Sequence, residues 1–173
     1  MSFLGATDLG TAETIWILAV TDFNLQAPSF ALLQASMACW KCGSGTLVTA
    51  IWVPRVTEFD EEGELEVADA AVLQYVESLD AAAEAFVVQV APLLRIGQSQ
   101  TAGVNYWANN CSHCDALQGD HFVMGVDGPF FFQSQEELAS LTVRQGGSTL
   151  RASADYSESG WMMRIPQLLG CAK

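Results

Sequence analysis

Hydrophobic and polar positions alternate between two rhythms along the chain, and the rhythm predicts the elements. Residues 1–12 read as a loose lead-in, and Thr14 to Thr21 is a continuous apolar run with β-branched residues, the pattern of a buried strand. Asn24 to Pro28 reads as a turn or loop. Ser29 to Ala38, with Phe30, Leu32, Leu33 and Met37, fits a strand or a short helix. Thr46 to Val53 reads as a strand that stops at Pro54. Val67 to Leu79 then shifts to helical spacing, with Val72, Val76 and Leu79 on one face and Leu73 beside them. Asp80 is placed to cap a second helix through Ala81 to Val90, with Phe86, Val87 and Val90 inward and Pro92 marking its end.

The second half is more broken. Gly97 to Gly103 is polar and loop-like. Tyr106-Trp107-Ala108 and His121 to Met124 read as strands, and Asp127-Gly128-Pro129 as a turn. Ser134 and Glu137 form a capping box that opens a helix to about Arg144, stopped by Gly146-Gly147. Leu150, Ala152, Ala154 and Tyr156 alternate with polar partners, a half-buried strand. Trp161 to Leu169 is apolar and expected to pack back on the core. No internal repeat or low-complexity segment interrupts the 173 residues, half of them hydrophobic, which suit a single domain with one sizeable core.

Charge narrows the classes of partner. Seven Lys and Arg against twenty Asp and Glu give a net charge of −13. A scattered handful of bases cannot form the face that nucleic acid or an anionic membrane requires, so neither is expected as a partner. No run of ~18 apolar residues suggests a membrane span. Asp8 and Glu13 precede the first apolar run where a secretory signal would carry bases. A cytoplasmic location is expected, and five cysteines, four of them in metal-type spacing, suit a reducing compartment.

Those four are Cys39-Trp40-Lys41-Cys42 and Cys111-Ser112-His113-Cys114. A C-x-x-C turn aims two sulfurs at one point, and two such turns make a closed tetrahedral zinc site with bonds of about 2.3 Å and no open position for substrate. Gly43 follows the first turn and suits its left-handed exit; Asp115 follows the second and tolerates that conformation better than most residues. Two alternatives stay open: a redox dithiol at Cys39 and Cys42 with Lys41 lowering a thiol pKa, and disulfides in an oxidising compartment. His113, between two cysteines, is expected to face solvent. Cys171 is left over as an ordinary thiol. The long gap between the knuckles implies that a whole substructure is inserted there. Zinc would then close a long loop.

Other chemistry is sparse. The sequence has no G-x-S-x-G, P-loop, G-x-G-x-x-G or H-E-x-x-H motif. Asp115, Asp120 and His121 could cluster beside the metal as turn caps or supporting hydrogen bonds. Glu58, Asp60, Glu61, Glu62, Glu64, Glu66 and Asp69 make an acidic run with no base in it, read as a solvated loop leading into a helix or as a lure for a basic partner. Phe130-Phe131-Phe132 cannot all face one side of a strand, so either the run is core or part of it, Phe131 above all, is an interaction patch.

Two resemblances attach to these residues. Cys39-Trp40-Lys41-Cys42-Gly43, Tyr106 to Asn109, and Cys111 and Cys114 with Gln118-Gly119-Asp120 and Phe122 resemble a group of uncharacterised bacterial proteins with a C-W-K-C-G and an N-x-C-x-x-C-G-A-x-Q-G-D-x-F knuckle. Asp115 stands where those proteins carry Gly. The resemblance implies zinc and brings no activity. The second knuckle, with Leu117, Gly119 and Phe122, is also similar to that of β-tent proteins such as methionine sulfoxide reductase B and the cereblon ligand-binding domain. There, two distant C-x-x-C turns pin two antiparallel sheets. This sequence has neither the reductase's R-x-C-x-N segment nor a three-Trp cluster.

The sequence thus predicts an α+β fold: two zinc-knuckle β-hairpins or small antiparallel sheets joined by a four-cysteine site. A two-helix insert is expected over about 64–95, with a helix plus strand at the C-terminal end. The expected function is non-enzymatic binding of a protein partner, as an inhibitor or immunity protein masking a basic toxin surface. The alternatives are a thiol redox enzyme using Cys39 and Cys42, and a β-tent small-molecule module lined by Trp52, Trp107 and aromatics near Phe130.

Overall fold

The computed structural model describes residues 23–59, 65–100, 103–132, 134–147 and 149–169. The apolar run at 14–21, Cys171, and Asp60, Glu61, Glu62 and Glu64 lie outside them. The chain is mixed α+β with strands dominant. Its strands are β1 (Leu25–Ala27), β2 (Ala31–Ala38), β3 (Gly45–Val53), β4 (Val56–Phe59), β5 (Leu65–Ala68), β6 (Ala71–Leu79), β7 (Leu94–Gln98), β8 (Asn105–Asn110), β9 (Leu117–Gln118), β10 (Thr142–Gln145) and β11 (Leu150–Glu158). Its helices are α1 (Ala81–Val90), α2 (Asp120–Val123), α3 (Gln135–Ala139), a 3-10 turn at Met162–Arg164 and α4 (Ile165–Leu169). Every pairing is antiparallel. Eight strands form one sheet in the order β10-β2-β3-β6-β11-β1-β4-β5, and β7-β8-β9 form a second.

The large sheet is buried on both faces, which explains the unbroken apolar run in β3. Leu32, Ile51 and Val53 face one core with Val87 of α1 and Trp107 of the small sheet. Leu33, Ala50 and Trp52 face the other, covered by Val123, Leu138, Met162 and Ile165 from the short helices. The helix from Asp80 forms as expected: its carboxylate accepts from Ala82 and Ala83 N–H at 3.0 and 3.1 Å. The C-terminal apolar segment packs back on the sheet through Met162 and Ile165.

Several expectations are corrected. Residues 67–79 are not a helix but the end of β5 and the strand β6, so among the described residues α1 is the single helix between the two C-x-x-C turns. The helical spacing has a physical source. In the β6–β11 register, Tyr75, Val76 and Glu77 stand opposite Ala154 alone. Tyr75 takes φ 48° at this bulge, a rare conformation for a bulky residue. The extra residues turn Val76 toward the core that Leu73 and Leu79 also face, and that makes a strand look helical. The acidic loop is a β4–β5 hairpin where described, with Glu58 opposite Glu66. Asn24 to Pro28 contains β1, and Gly97–Gly103 begins inside β7.

His121 to Met124 is not a strand: α2 occupies it, ending before Gly125, where any Cβ would sit 2.4 Å from the His121 carbonyl oxygen. The capping box at Ser134 and Glu137 is present, but α3 stops at Ala139. Thr142-Val143-Arg144-Gln145 joins the edge of β2 instead, a tertiary pairing that suits its β-branched residues.

β3 and β6 pair only at Trp52–Val72 and Val53–Ala71, then part. Side chains fill the opening. Asn109 of β8, 1% exposed, accepts the Thr49 N–H at 2.7 Å and donates to the Thr49 carbonyl at 2.9 Å, imitating a strand neighbour. Replacing Asn109 by Ala strands both buried groups and is expected to destabilise the fold by about 2–4 kcal/mol. Urea unfolding measures this, and an unchanged midpoint would contradict the bridging role.

Candidate metal centre and adjoining cleft

The two C-x-x-C turns sit at corresponding places in the two sheets, one between β2 and β3, the other just after β8. They are built alike. Cys39 N–H donates to Ser44 O at 2.9 Å and Gly43 N–H to Cys39 O at 2.9 Å; Cys111 N–H donates to Ala116 O at 2.9 Å and Asp115 N–H to Cys111 O at 3.0 Å. Lys41 and His113 N–H each point at the first sulfur of their own turn at 3.4 Å. Gly43 at φ 72° and Asp115 at φ 61° make the left-handed exits. Asp115 is held there by an ion pair with Arg95.

The four sulfurs converge. Cys39 and Cys114 Sγ lie 3.7 Å apart, as do Cys42 and Cys111 Sγ, and all four fall within 4.8 Å of one another. These are not disulfides, whose sulfurs bond at about 2.0 Å. Cys39 and Cys111 are buried and Cys42 is exposed. Four thiols this close can hold a metal ion. Burial raises the Cys39 thiol, but Cys42 and Lys41 N–H and the facing sulfurs outweigh it and bring it down to about 6. Cys42 is lowered, first by the Ser44 N–H. Cys114 is lowered by the Ala116 N–H, but burial and the three other sulfurs prevail and push it to about 12. The cluster ionises readily at first and resists completion, the electrostatics that a cation relieves.

A polar clasp joins the turns beyond the sulfurs. Gln118, fully buried, donates to Ala116 O at 2.7 Å and to Cys39 Sγ at 3.3 Å, while its Oε1 accepts the Trp40 N–H at 3.3 Å. Ser112 N–H donates to Thr46 Oγ1 at 3.0 Å. Trp40 Nε1 donates to Leu117 O at 2.7 Å.

Beside the clasp lies a cleft of about 700 Å³, walled by Trp40, Tyr75, Tyr106, Leu117, Asp120 and Phe122, with Gln98, Gln100 and His121 at its edge. Tyr75 and Tyr106 meet edge to face at 5.3 Å between centroids. Asp120, 6% exposed, accepts the Tyr75 N–H at 2.7 Å and so holds the bulge of β6. Burial raises its carboxyl to about 6, against the opposing Tyr75 bond. Burial and the Asp120 charge also raise Tyr106.

The predicted site residues divide. Cys39, Cys42, Cys111 and Cys114 come together, and His113 is exposed. Asp115, Asp120 and His121 do not cluster: Asp115 pairs with Arg95, Asp120 binds Tyr75, and His121 is exposed on α2 with its ring against Phe122. Trp52 and Trp107 do not line this cleft; both are core, 2% and 6% exposed. Phe130 is buried, Phe132 packs on Trp161 at 4.9 Å, and Phe131 is 45% exposed. Tyr75 was not anticipated, and Trp40 and Gln118 entered only as residues of the knuckle motif, with no role in a site. Polar residues bracketing a C-x-x-C, as in Asn109-Asn110 and Gln118, were the available signal.

Fold and site define a strand-rich α+β protein with four thiols, placed to hold a metal ion, at the junction of two sheets. The chain matches no family model, no curated protein and no solved structure. Among the described residues no helix is long and apolar enough to cross a membrane.

Asp120 gives a pH signature. A carboxyl raised in the fold above its value of 3.8 unfolded favours folding below about pH 4 and withdraws that support as pH rises through about 6. The full effect is about 3 kcal/mol. Asp120→Asn keeps an acceptor for Tyr75 and removes the titration. The wild-type stability relative to this variant, from urea unfolding, is expected to fall by about 2–3 kcal/mol between pH 4 and 7. Metal release at low pH acts on both proteins and cancels. A flat difference contradicts the assignment.

Proposed function

We propose that the chain is a non-enzymatic binding module in which a structural Zn²⁺ on Cys39, Cys42, Cys111 and Cys114 clamps two sheets and the cleft beside it receives a ligand. The observation that carries this reading is the cleft itself. About 700 Å³ lies between the clasp and the β6 bulge, lined by the aromatic rings of Trp40, Tyr75, Tyr106 and Phe122 together with polar groups that include one buried carboxylate, the make-up of a ligand pocket. Zinc is supported by the donor set and its shape. Four soft thiolates select zinc or iron–sulfur over hard cations, and a 3.7 Å sulfur separation is the edge of a tetrahedron with arms near 2.3 Å. Such a centre has no open position, so its role is to hold, not to react. The β-tent resemblance points the same way, toward two sheets pinned by paired turns, with the cleft lined by Trp40, Tyr75 and Tyr106 in place of Trp52 and Trp107. The redox alternative draws on the depressed Cys39 thiol, but Cys39 and Cys42 each meet a sulfur of the other turn at 3.7 Å, which suits a shared four-thiol site over an isolated dithiol.

A specific observation favours a second reading, an acidic inhibitor or immunity-type surface for a basic protein. Glu58 and Glu66 face each other on the β4–β5 hairpin, and burial together with Glu58, Glu66 and Glu158 raises the Tyr156 hydroxyl. Phe131 offers an exposed ring.

A fragment screen read by amide shifts on the zinc-loaded, isotope-labelled chain tests the favoured reading. Hits are expected to move Trp40, Tyr106 and Phe122 together. Cys114→Ser is expected to release the metal and weaken those hits at least about tenfold. Hits confined to the β4–β5 hairpin and Phe131, or none in the cleft, would contradict it.

A further inference from the structure

The cleft holds a carboxylate among aromatic rings, with the exposed His121 imidazole in its lining. Asp120 is 6% exposed, and its Oδ2 takes the Tyr75 N–H. Among the described residues no buried side-chain oxygen lacks a partner. Asp120 lines the cleft and also two smaller hollows beside it. Trp40 and Phe122 at the mouth are 63% and 58% exposed, an apolar surface of the kind that marks a contact site. Trp40 is held by its Nε1 bond to Leu117 O, so its ring is fixed before any ligand arrives. No Lys or Arg lines the cleft among the described residues.

We propose that this cleft binds an alkylated ammonium group, seated against Trp40, Tyr75 and Phe122 with the Asp120 carboxylate as its counter-ion. The inference rests on the cleft being a ligand site and adds the chemical class. Aromatic faces attract cations through their quadrupole, and alkyl groups on the nitrogen supply the apolar contact that the rings seek. An inorganic divalent cation requires several oxygen ligands, which one carboxylate does not supply. An anion meets Asp120 and a chain of net charge −13. A neutral apolar ligand would seal the carboxylate away without a counter-charge.

The ammonium group has two possible sources, a free small amine or an alkylated side chain on a peptide. The test titrates the zinc-loaded chain with choline, with a trimethyl-lysine peptide, and with 3,3-dimethylbutan-1-ol, the neutral isostere of choline. Saturable shifts at Trp40, Tyr106 and Phe122 are expected with a cation, and binding about tenfold weaker with the isostere. Asp120→Asn and Phe122→Ala are each expected to weaken the cation about fivefold or more. Phe122 is exposed, so its variant reports even where Asp120→Asn misfolds. Choline binding ahead of the peptide assigns a small amine, and the reverse assigns a side chain. Equal binding of the isostere overturns the cation class and leaves the cleft as a ligand site. No shift at the cleft with either cation up to about 10 mM overturns the proposal.

Discussion

The structure depends on four sulfurs from two distant turns meeting at one point. The two sheets are separate hydrogen-bonded units, and the small one has three strands, of which β9 is only two residues long. It is held on the large sheet by Trp107 and Leu94 in the shared core, by Asn109 pairing with Thr49, and by the convergence of Cys39, Cys42, Cys111 and Cys114. The first two contacts fix where the sheet lies. The third fixes its end, where the core thins to Cys39, Cys111 and Ala116. A metal held by these four thiols would compensate for missing apolar burial and for mutual thiolate repulsion at once.

From that point the order of the site follows outward. Gln118 is bound to both turns, so β9 is set in place, and Gly119 and Asp120 follow directly. Asp120 then reaches the Tyr75 N–H and stabilises a backbone conformation that a tyrosine rarely adopts. The bulge opens the large sheet on one side and leaves Tyr75, Tyr106 and Trp40 around a cavity instead of a closed core. Clasp, bulge and cleft are thus linked in series through five consecutive residues, Ala116 to Asp120.

How much of this was legible depends on how local the cause is. The α+β class, β3, the Asp80-capped helix, the box at Ser134 and the alternation of β11 were readable because capping and period-two burial are local physics. The C-x-x-C pairs were readable because their turn geometry is self-contained, down to the left-handed Asp115. β6 was not, because its apolar spacing reflects a bulge that Asp120, 45 residues away, holds in place. β10 and α2 were misread because edge pairing with β2 and the crowded exit at Gly125 overrode local preference. Trp52 and Trp107 looked like ligand-lining residues, and nothing in the sequence showed that both would be core.

The central claim is that one zinc on four thiolates holds the sheets together. Zinc content with K-edge X-ray absorption on untagged protein, purified without chelator, tests it most directly. The account predicts one zinc per chain, surrounded by four sulfurs at about 2.3 Å, with Cys39, Cys42, Cys111 and Cys114 unreactive until the metal is removed and the fold lost with it. A folded, metal-free chain whose four thiols react freely, or a zinc bound by oxygen and nitrogen, would contradict it.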